Sequence, residues 1–502
     1  MHKSNRLAFT HLRTNGASLR LAFLSTGAKK SIQAPPMTYI AGEEMSRFAG
    51  GLFVDEWIKP YVDISKWEFF DLSCVSRDKS NDKVLADCIA SGKKIGAIYK
   101  EPTITPTADQ VKQFGLKKAW GSPNGAMRAG WNGISISRDT IHLPGMQLGY
   151  KNKIYFDRHA VGGEYGASFK TVGPGTLVTK FNGELVNERT LTDKVSAVVV
   201  YDNPYDNVVP MAHHFFSRCL EAKVTPYVCT KKTVFKWQET FWQTMKKVFD
   251  EHYKEKFTKA GLLKSCKGEL THFLSDVASM QIIRWSDGGW GMCSHNYDGD
   301  VLTDEIAQVH RSPGFLTSVL NGVNDDGSII KEFEASHGTV TDMWHAHLRG
   351  EETSLNPLSM MEALIGAMVH SAVLAKTRNI GNPKDADALI DFSNKLQSAI
   401  HTQMITPNGG TRDLCGATGL TTQQFVKAVR KLLDASLAGK SIGVPKPKTE
   451  LAATAFVAPY QEDHKKMKEL FDAIDTDKNG SISYEEFVIG MKKLGVTPRK
   501  LD

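Results

Sequence analysis

The sequence predicts an α/β fold with a small α-helical module at its C-terminus. Three observations lead there. Between Met37 and Tyr99, short apolar runs alternate with charged, helix-like segments, the pattern of strands and helices taken in turn. Residues 150–205 are glycine-rich and strand-like. Near the end, twelve residues from Asp475 to Glu486 carry oxygen-bearing groups at regular intervals between two amphipathic flanks. At 502 residues the chain is too long for one small core, so two or three domains are expected. With 41% hydrophobic and 23% charged residues, the composition is that of an ordinary globular protein.

The elements follow in order. The first acid is Glu43, and Lys3, Arg6, Arg13, Arg20, Lys29 and Lys30 are interleaved with Leu, Phe, Ala, Ser and Thr. That is the composition of an organellar transit peptide, taken as residues 1–30, mitochondrial in preference to plastid. A short strand from Met37 and a glycine-containing turn lead into a helix over Glu43–Trp57. Apolar stretches at Trp67–Leu72 and Lys94–Tyr99 flank a helix-like Asn81–Gly92. Strand-like runs cover Tyr165–Val178 and Val195–Tyr201. Helical segments are expected near Phe235–Phe257 and Thr271–Arg284, and a helix is expected to open at Asp304. Residues 355–402 read as helical, with Met360, Leu364, Met368 and Ala372 at fours. The Gly- and Pro-containing stretch 436–459 reads as a linker before a module at 460–502.

That module carries an EF-hand pattern. Asp475, Asp477 and Asn479 supply side-chain oxygens, Ser481 a carbonyl, and Ser483 a direct or water-mediated contact. Glu486 closes the loop, and Gly480 makes its sharp turn. Apolar faces flank it on both sides, so Ca²⁺ is the expected occupant. A solitary EF-hand leaves an apolar face uncovered, and pairing across a homodimer is its simplest partner.

Charge and cysteine usage narrow the function. The net charge of +7 suits an anionic substrate, but it is spread too thinly to indicate nucleic acid. No uninterrupted apolar run approaches the length of a membrane span. The seven cysteines are scattered without a C-x-x-C, which favours free thiols in a reducing compartment.

Asp300 and Asp304 stand four apart in Asn296-Tyr297-Asp298-Gly299-Asp300-Val301 and its continuation. On a helix that spacing places both carboxylates on one face, suited to Mg²⁺ or Mn²⁺. Other segments supply complementary groups. They are Thr103-Ile104-Thr105-Pro106, Ser122-Pro123-Asn124-Gly125, Arg128, Arg138, Arg158-His159-Ala160, Tyr165 and Thr230-Lys231-Lys232-Thr233. Three arginines with hydroxyls and an amide make a site for a compact polycarboxylate, because guanidinium forks grip carboxylates bidentately. A tyrosine and a lysine are candidate proton carriers.

In this order the motifs resemble the homodimeric, eukaryotic-type branch of the isocitrate dehydrogenases, from about Met37 to about Ala435. The resemblance implies a two-domain α/β fold: a large domain from residues 31–131 and 311–435, and a small one from 132–310 containing a clasp at 163–204. It implies isocitrate binding by Thr105, Ser122, Asn124, Arg128, Arg138 and Arg158. Tyr165 and Lys231 correspond to the proton-transfer pair. Asp300 and Asp304 correspond to metal ligands on one subunit, with Asp276 supplied by the other subunit of a homodimer. The same resemblance assigns the cofactor to Thr103, to His337-Gly338-Thr339-Val340-Thr341-Asp342 and to Asn356. NADP-linked members carry Arg and His after H-G-T-V-T, whereas this chain has Asp342 and Met343. A carboxylate there accepts from ribose hydroxyls and repels a 2′-phosphate, which points to NAD. Rival readings are an NADP-dependent enzyme, a dehydrogenase of isopropylmalate or homoisocitrate, and a catalytically silent Ca²⁺-binding scaffold.

Overall fold

The computed structural model describes residues 31–324 and 326–443. The basic N-terminal segment and the EF-hand loop lie outside them. A ten-stranded sheet runs through the described chain. Its order is Thr271–Leu274, Thr225–Thr230, Trp290–Ser294, Tyr155–His159, Gly133–Asp139, Thr317–Val323, Ile329–Ala335, Ala97–Lys100, Met37–Ala41 and Trp67–Asp71. The pairings from Tyr155–His159 through Ile329–Ala335 are antiparallel. On either side the sheet continues as a parallel wing. Parallel strands need helical crossovers that cover both faces, which matches the alternation in the sequence.

Each wing has its own apolar cover. Helices Leu358–Thr377, Pro383–Ile405 and Thr422–Leu437 join Glu44–Phe53 in one large buried cluster. The stripe Met360, Leu364, Met368 and Ala372 is buried there as expected. Helix Leu358–Thr377 is apolar and long enough to cross a membrane, but most of it is packed inside the molecule. Helices Val208–Ala222 and Gln238–His252 cover the opposite wing through Phe215, Phe216, Phe241 and Phe249. Residues 168–200 form two separate antiparallel ladders, Gly175–Phe181 with Glu184–Leu191 and Ser168–Val172 with Ser196–Val200. All seven cysteines are free thiols.

Among the boundaries that differ from expectation, two bear on the site. The helix expected from Asp304 already begins at Asn296, so all of N-Y-D-G-D is helical. Extended His295 ends the preceding loop, and the Gly299 N–H donates to its carbonyl at 2.8 Å, closing the first turn. The helix expected over Thr271–Arg284 splits into the strand Thr271–Leu274 and the helix Ser275–Arg284. There, register with Tyr227–Thr230 prevails over local helical periodicity.

Candidate active site

The sheet register brings the arginines together. Ile136 lies opposite Arg158, and Arg138 opposite Phe156. Side chains alternate along a strand, so Arg138 and Arg158 are diagonal neighbours on one face. In the next strand Ser294 pairs with Arg158, and helix Asn296–His310 starts two residues later. That short connection lays the helix directly over the arginines. Gly299 permits it: a β-carbon there would sit 2.4 Å from the Arg158 Cβ.

Asp300 receives the convergence. Arg158 Nη1 and the Tyr165 hydroxyl both donate to its carboxylate. Arg138 Nη1 lies 2.8 Å from Asp300 Oδ1 and 3.9 Å from Asp304 Oδ1, and donates to Thr303 Oγ1 at 2.9 Å. Arg158 Nη2 donates to Asn296 Oδ1 at 2.8 Å. The guanidinium groups of Arg158 and Arg128 lie 5.2 and 6.0 Å from the Tyr165 ring centre.

The electrostatics follow from burial and crowding. Burial and the neighbouring Arg138 and Arg128 push Arg158 down to about 9. Burial opposes ionisation of Asp300, but Arg158 and Arg138 outweigh it and hold the carboxyl below its usual range. Asp304 is shifted the other way by burial, although its side chain is 70% exposed. Burial and the bond to Asp300 raise Tyr165 to about 12, so the phenol keeps its proton near neutrality.

Lys231 and Asp276 belong to a second group. They follow the neighbouring parallel strands Thr225–Thr230 and Thr271–Leu274 and pair at 2.6 Å. The Lys231 backbone N–H is held by Gln238 Oε1 at 2.5 Å. Among the described residues of one chain, no three His, Cys, Asp or Glu side chains gather as a metal centre. The donor chemistry of Asp300 and Asp304 nevertheless fits two ligands of a hard cation, and Asp304 remains open to solvent. Asp298, inside the same motif, faces away toward Gln238.

The remaining predicted residues flank this centre. Ser122 caps helix Pro123–Gly130, which carries Asn124 and Arg128. Thr103 Oγ1 lies 3.5 Å from Asn124 Oδ1, and Thr105, two residues further on, is exposed. His337 to Val340 run into helix Thr341–Leu348, with Asp342 exposed in its first turn. Buried Asn356 donates to Asp413 at 2.7 Å. His337 Nε2 is closed off from solvent without a partner, as are Arg138 Nε and Arg158 Nε. Such orphaned donors and acceptors suit a dinucleotide and a polycarboxylate. Sequence reasoning passed over Asn296, Gly299 and Thr303, although Gly299 inside an acidic helical motif was a readable sign of close approach.

The family described as isocitrate/isopropylmalate dehydrogenase matches residues 37–429. The chain belongs to this family. An EF hand domain also matches residues 466–494, covering the twelve-residue loop. The α/β fold and the family expected from the sequence are those found. A relative named mitochondrial NAD(+) isocitrate dehydrogenase 1, from Phaeodactylum tricornutum, is 54% identical over 479 residues, covering 94% of this chain and 87% of that protein. Another from Ostreococcus tauri, named mitochondrial NAD(+) isocitrate dehydrogenase, is 57% identical over 428 residues, covering 84% and 89%. A crystal structure of isocitrate dehydrogenase from Ostreococcus tauri with isocitrate and magnesium(II) superposes with a TM-score of 0.74 at 58% identity. It covers 80% of this chain and all of that one. This member of the family therefore has relatives whose names join it to NAD and to isocitrate.

Proposed function

We propose that the chain catalyses oxidative decarboxylation of isocitrate to 2-oxoglutarate and CO₂, with NAD as hydride acceptor and Mg²⁺ or Mn²⁺ as cofactor. The convergence of Arg128, Arg138, Arg158 and Tyr165 around Asp300 and Asp304 carries this reading. The arginines grip the substrate carboxylates, with Ser122, Asn124 and Thr105 fixing its orientation. Asp300 and Asp304 would hold the cation, whose positive charge would stabilise the oxyanion that develops as CO₂ departs. NAD, when bound, would supply the hydride acceptor, while a base takes the substrate's hydroxyl proton. Tyr165, held protonated, then delivers a proton to carbon. Thr103, His337 to Asp342 and Asn356 hold the dinucleotide, and the exposed Asp342 selects NAD.

A homodimer with shared sites supports this chemistry. Met280 and Ile283 are 60% and 61% exposed on Ser275–Arg284, and Tyr297 and Val301 are exposed on the adjoining Asn296–His310. Phe169 and Phe181 stand out from the two ladders. These apolar faces suit a second copy, whose Lys231 and Asp276 complete the site. The acid-free N-terminus and the relatives' names favour a mitochondrial location. Ca²⁺ at the EF-hand is read as a modulator of activity or assembly. Initial rates with isocitrate and Mg²⁺, comparing NAD with NADP and Ca²⁺ with chelator, test the reading. Absence of NADH formation, or kcat/KM with NADP equal to that with NAD, defeats it.

A further inference from the structure

Three carboxylates outside the reaction centre converge on one turn. The turn Gly42–Glu44 joins strand Met37–Ala41 to helix Glu44–Phe53. Glu101 is 1% exposed; its Oε2 accepts the Gly42 N–H at 2.9 Å and its Oε1 the Tyr39 hydroxyl at 2.5 Å. Glu43 accepts the backbone N–H groups of Cys74 at 2.9 Å and Ile104 at 3.2 Å, and its own N–H donates to the Pro102 carbonyl at 3.2 Å. Glu44 Oε2 accepts the hydroxyls of Thr339 at 2.5 Å and Thr341 at 2.6 Å. One short turn thus touches both T-I-T-P and H-G-T-V-T.

The backbone on both sides is strained. Glu44 has φ +57° and Val340 φ +59°. A left-handed valine is a genuine outlier, and such residues persist only where their surroundings over-determine them. The two threonine hydroxyls on either side of Val340 are the groups that Glu44 holds. They are spent on Glu44, leaving backbone groups and the Asp342 carboxylate to face a ligand.

We propose that Glu43, Glu44 and Glu101 form a brace that sets the spacing of the two segments holding the dinucleotide, with Glu44 the positioning residue for H-G-T-V-T. The brace rests on the reading that this segment binds NAD. Burial raises Glu101 to about 7 and Glu43 upward, which marks both as structural acids rather than solvated ones.

The test is steady-state kinetics of the full chain with Mg²⁺, NAD binding by equilibrium dialysis, and thermal melting. Glu44→Ala is expected to raise KM and Kd for NAD about tenfold, leaving KM for isocitrate within about twofold and melting nearly unchanged. Glu44→Gln is expected to recover most of the affinity, because an amide oxygen can accept both hydroxyls. The double variant Thr339→Val, Thr341→Val reproduces Glu44→Ala, and carries the test if Glu44→Ala does not fold. NAD affinity unchanged in these variants, or KM for isocitrate rising as far as KM for NAD in a variant that still melts cooperatively, overturns the brace. Asp342→Ala separates the two failures. If it weakens NAD binding while Glu44→Ala does not, the brace alone is wrong. If it leaves NAD binding unchanged, the reading of the segment falls, and the brace with it.

Discussion

Replacing Gly299 with alanine probes the one contact that lets helix Asn296–His310 reach the arginines. The new methyl carbon would lie 2.4 Å from Arg158 Cβ, 3.3 Å from Arg158 Cα and 3.4 Å from Phe156 Cε1. Carbon atoms settle at about 3.5–4.0 Å, so the closest contact falls short by roughly 1 Å or more. The obstructing atoms belong to a buried central strand and cannot swing aside, so the helix must move. Overpacking costs about 1–3 kcal/mol. Alanine returns about 1 kcal/mol over glycine within a helix. The net loss is about 0–2 kcal/mol, so melting should fall by at most about 5 °C. Catalysis should suffer more. Asp300 is the next residue, and a shift of about 1 Å at reacting groups costs on the order of 100-fold. The assay is kcat/KM for isocitrate at saturating NAD and Mg²⁺, beside a melting curve by circular dichroism. A variant within about threefold of the parent in kcat/KM would refute the close-approach role of Gly299.

Other substitutions test other parts of the site. Asp342→Arg with Met343→His should shift the ratio of kcat/KM toward NADP by at least about tenfold; an unchanged ratio would remove Asp342 from cofactor choice. Lys231→Met and Asp300→Asn should each be inactive, yet hybrids formed by unfolding and refolding them together should recover about a quarter of parental activity if sites are shared. No recovery in proven hybrids would place each site within one chain. Burial and the charge of Glu334 raise Glu332 well above the usual carboxylate range. A carboxyl raised on folding favours the fold below its unfolded value of about 4.3 and loses that contribution as pH rises toward the folded value. Melting of the parent should therefore decline between about pH 5 and pH 8 more steeply than that of Glu332→Gln. Parallel curves would contradict this. Glu486→Gln should abolish Ca²⁺ binding by calorimetry and remove any Ca²⁺ dependence of rate; a dependence that survives would locate it elsewhere.

Much of this site was legible because its motifs are short and local. The spacing of Asp300 and Asp304 already put both on one helical face, and the helix bears this out. Residues such as Met360 and Leu364 announced a buried stripe because helical period and burial coincide there. What stayed hidden depends on pairing across long distances in sequence. Thr271–Leu274 becomes a strand because Thr225–Thr230 lies beside it, and no local pattern encodes that neighbour. The convergence of Arg138 and Arg158 likewise follows from register, which places them diagonally on one face. The start of the Asn296 helix was missed because glycine suggested a break, whereas here it relieves a steric clash.

On the proposal that two chains share the site, charge gives a reason for the division. Arg128, Arg138 and Arg158 face Asp300 and Asp304, leaving one excess positive charge beside the buried Arg138 and Arg158. A divalent cation raises that excess to three, and a tricarboxylate with three negative charges cancels it. Either ligand alone would leave a large uncompensated charge out of water, a costly state. Binding of the two should therefore be mutually favourable, with the arginines released from Asp300 as substrate carboxylates take their place. On this reading Lys231 and Asp276 enter from a second copy already paired with each other. They add a proton carrier and an oxygen ligand without disturbing the balance. A lone lysine or a lone aspartate delivered across the interface would add a net charge to the completed site, so the pairing of these two residues on adjacent parallel strands suits delivery as a unit.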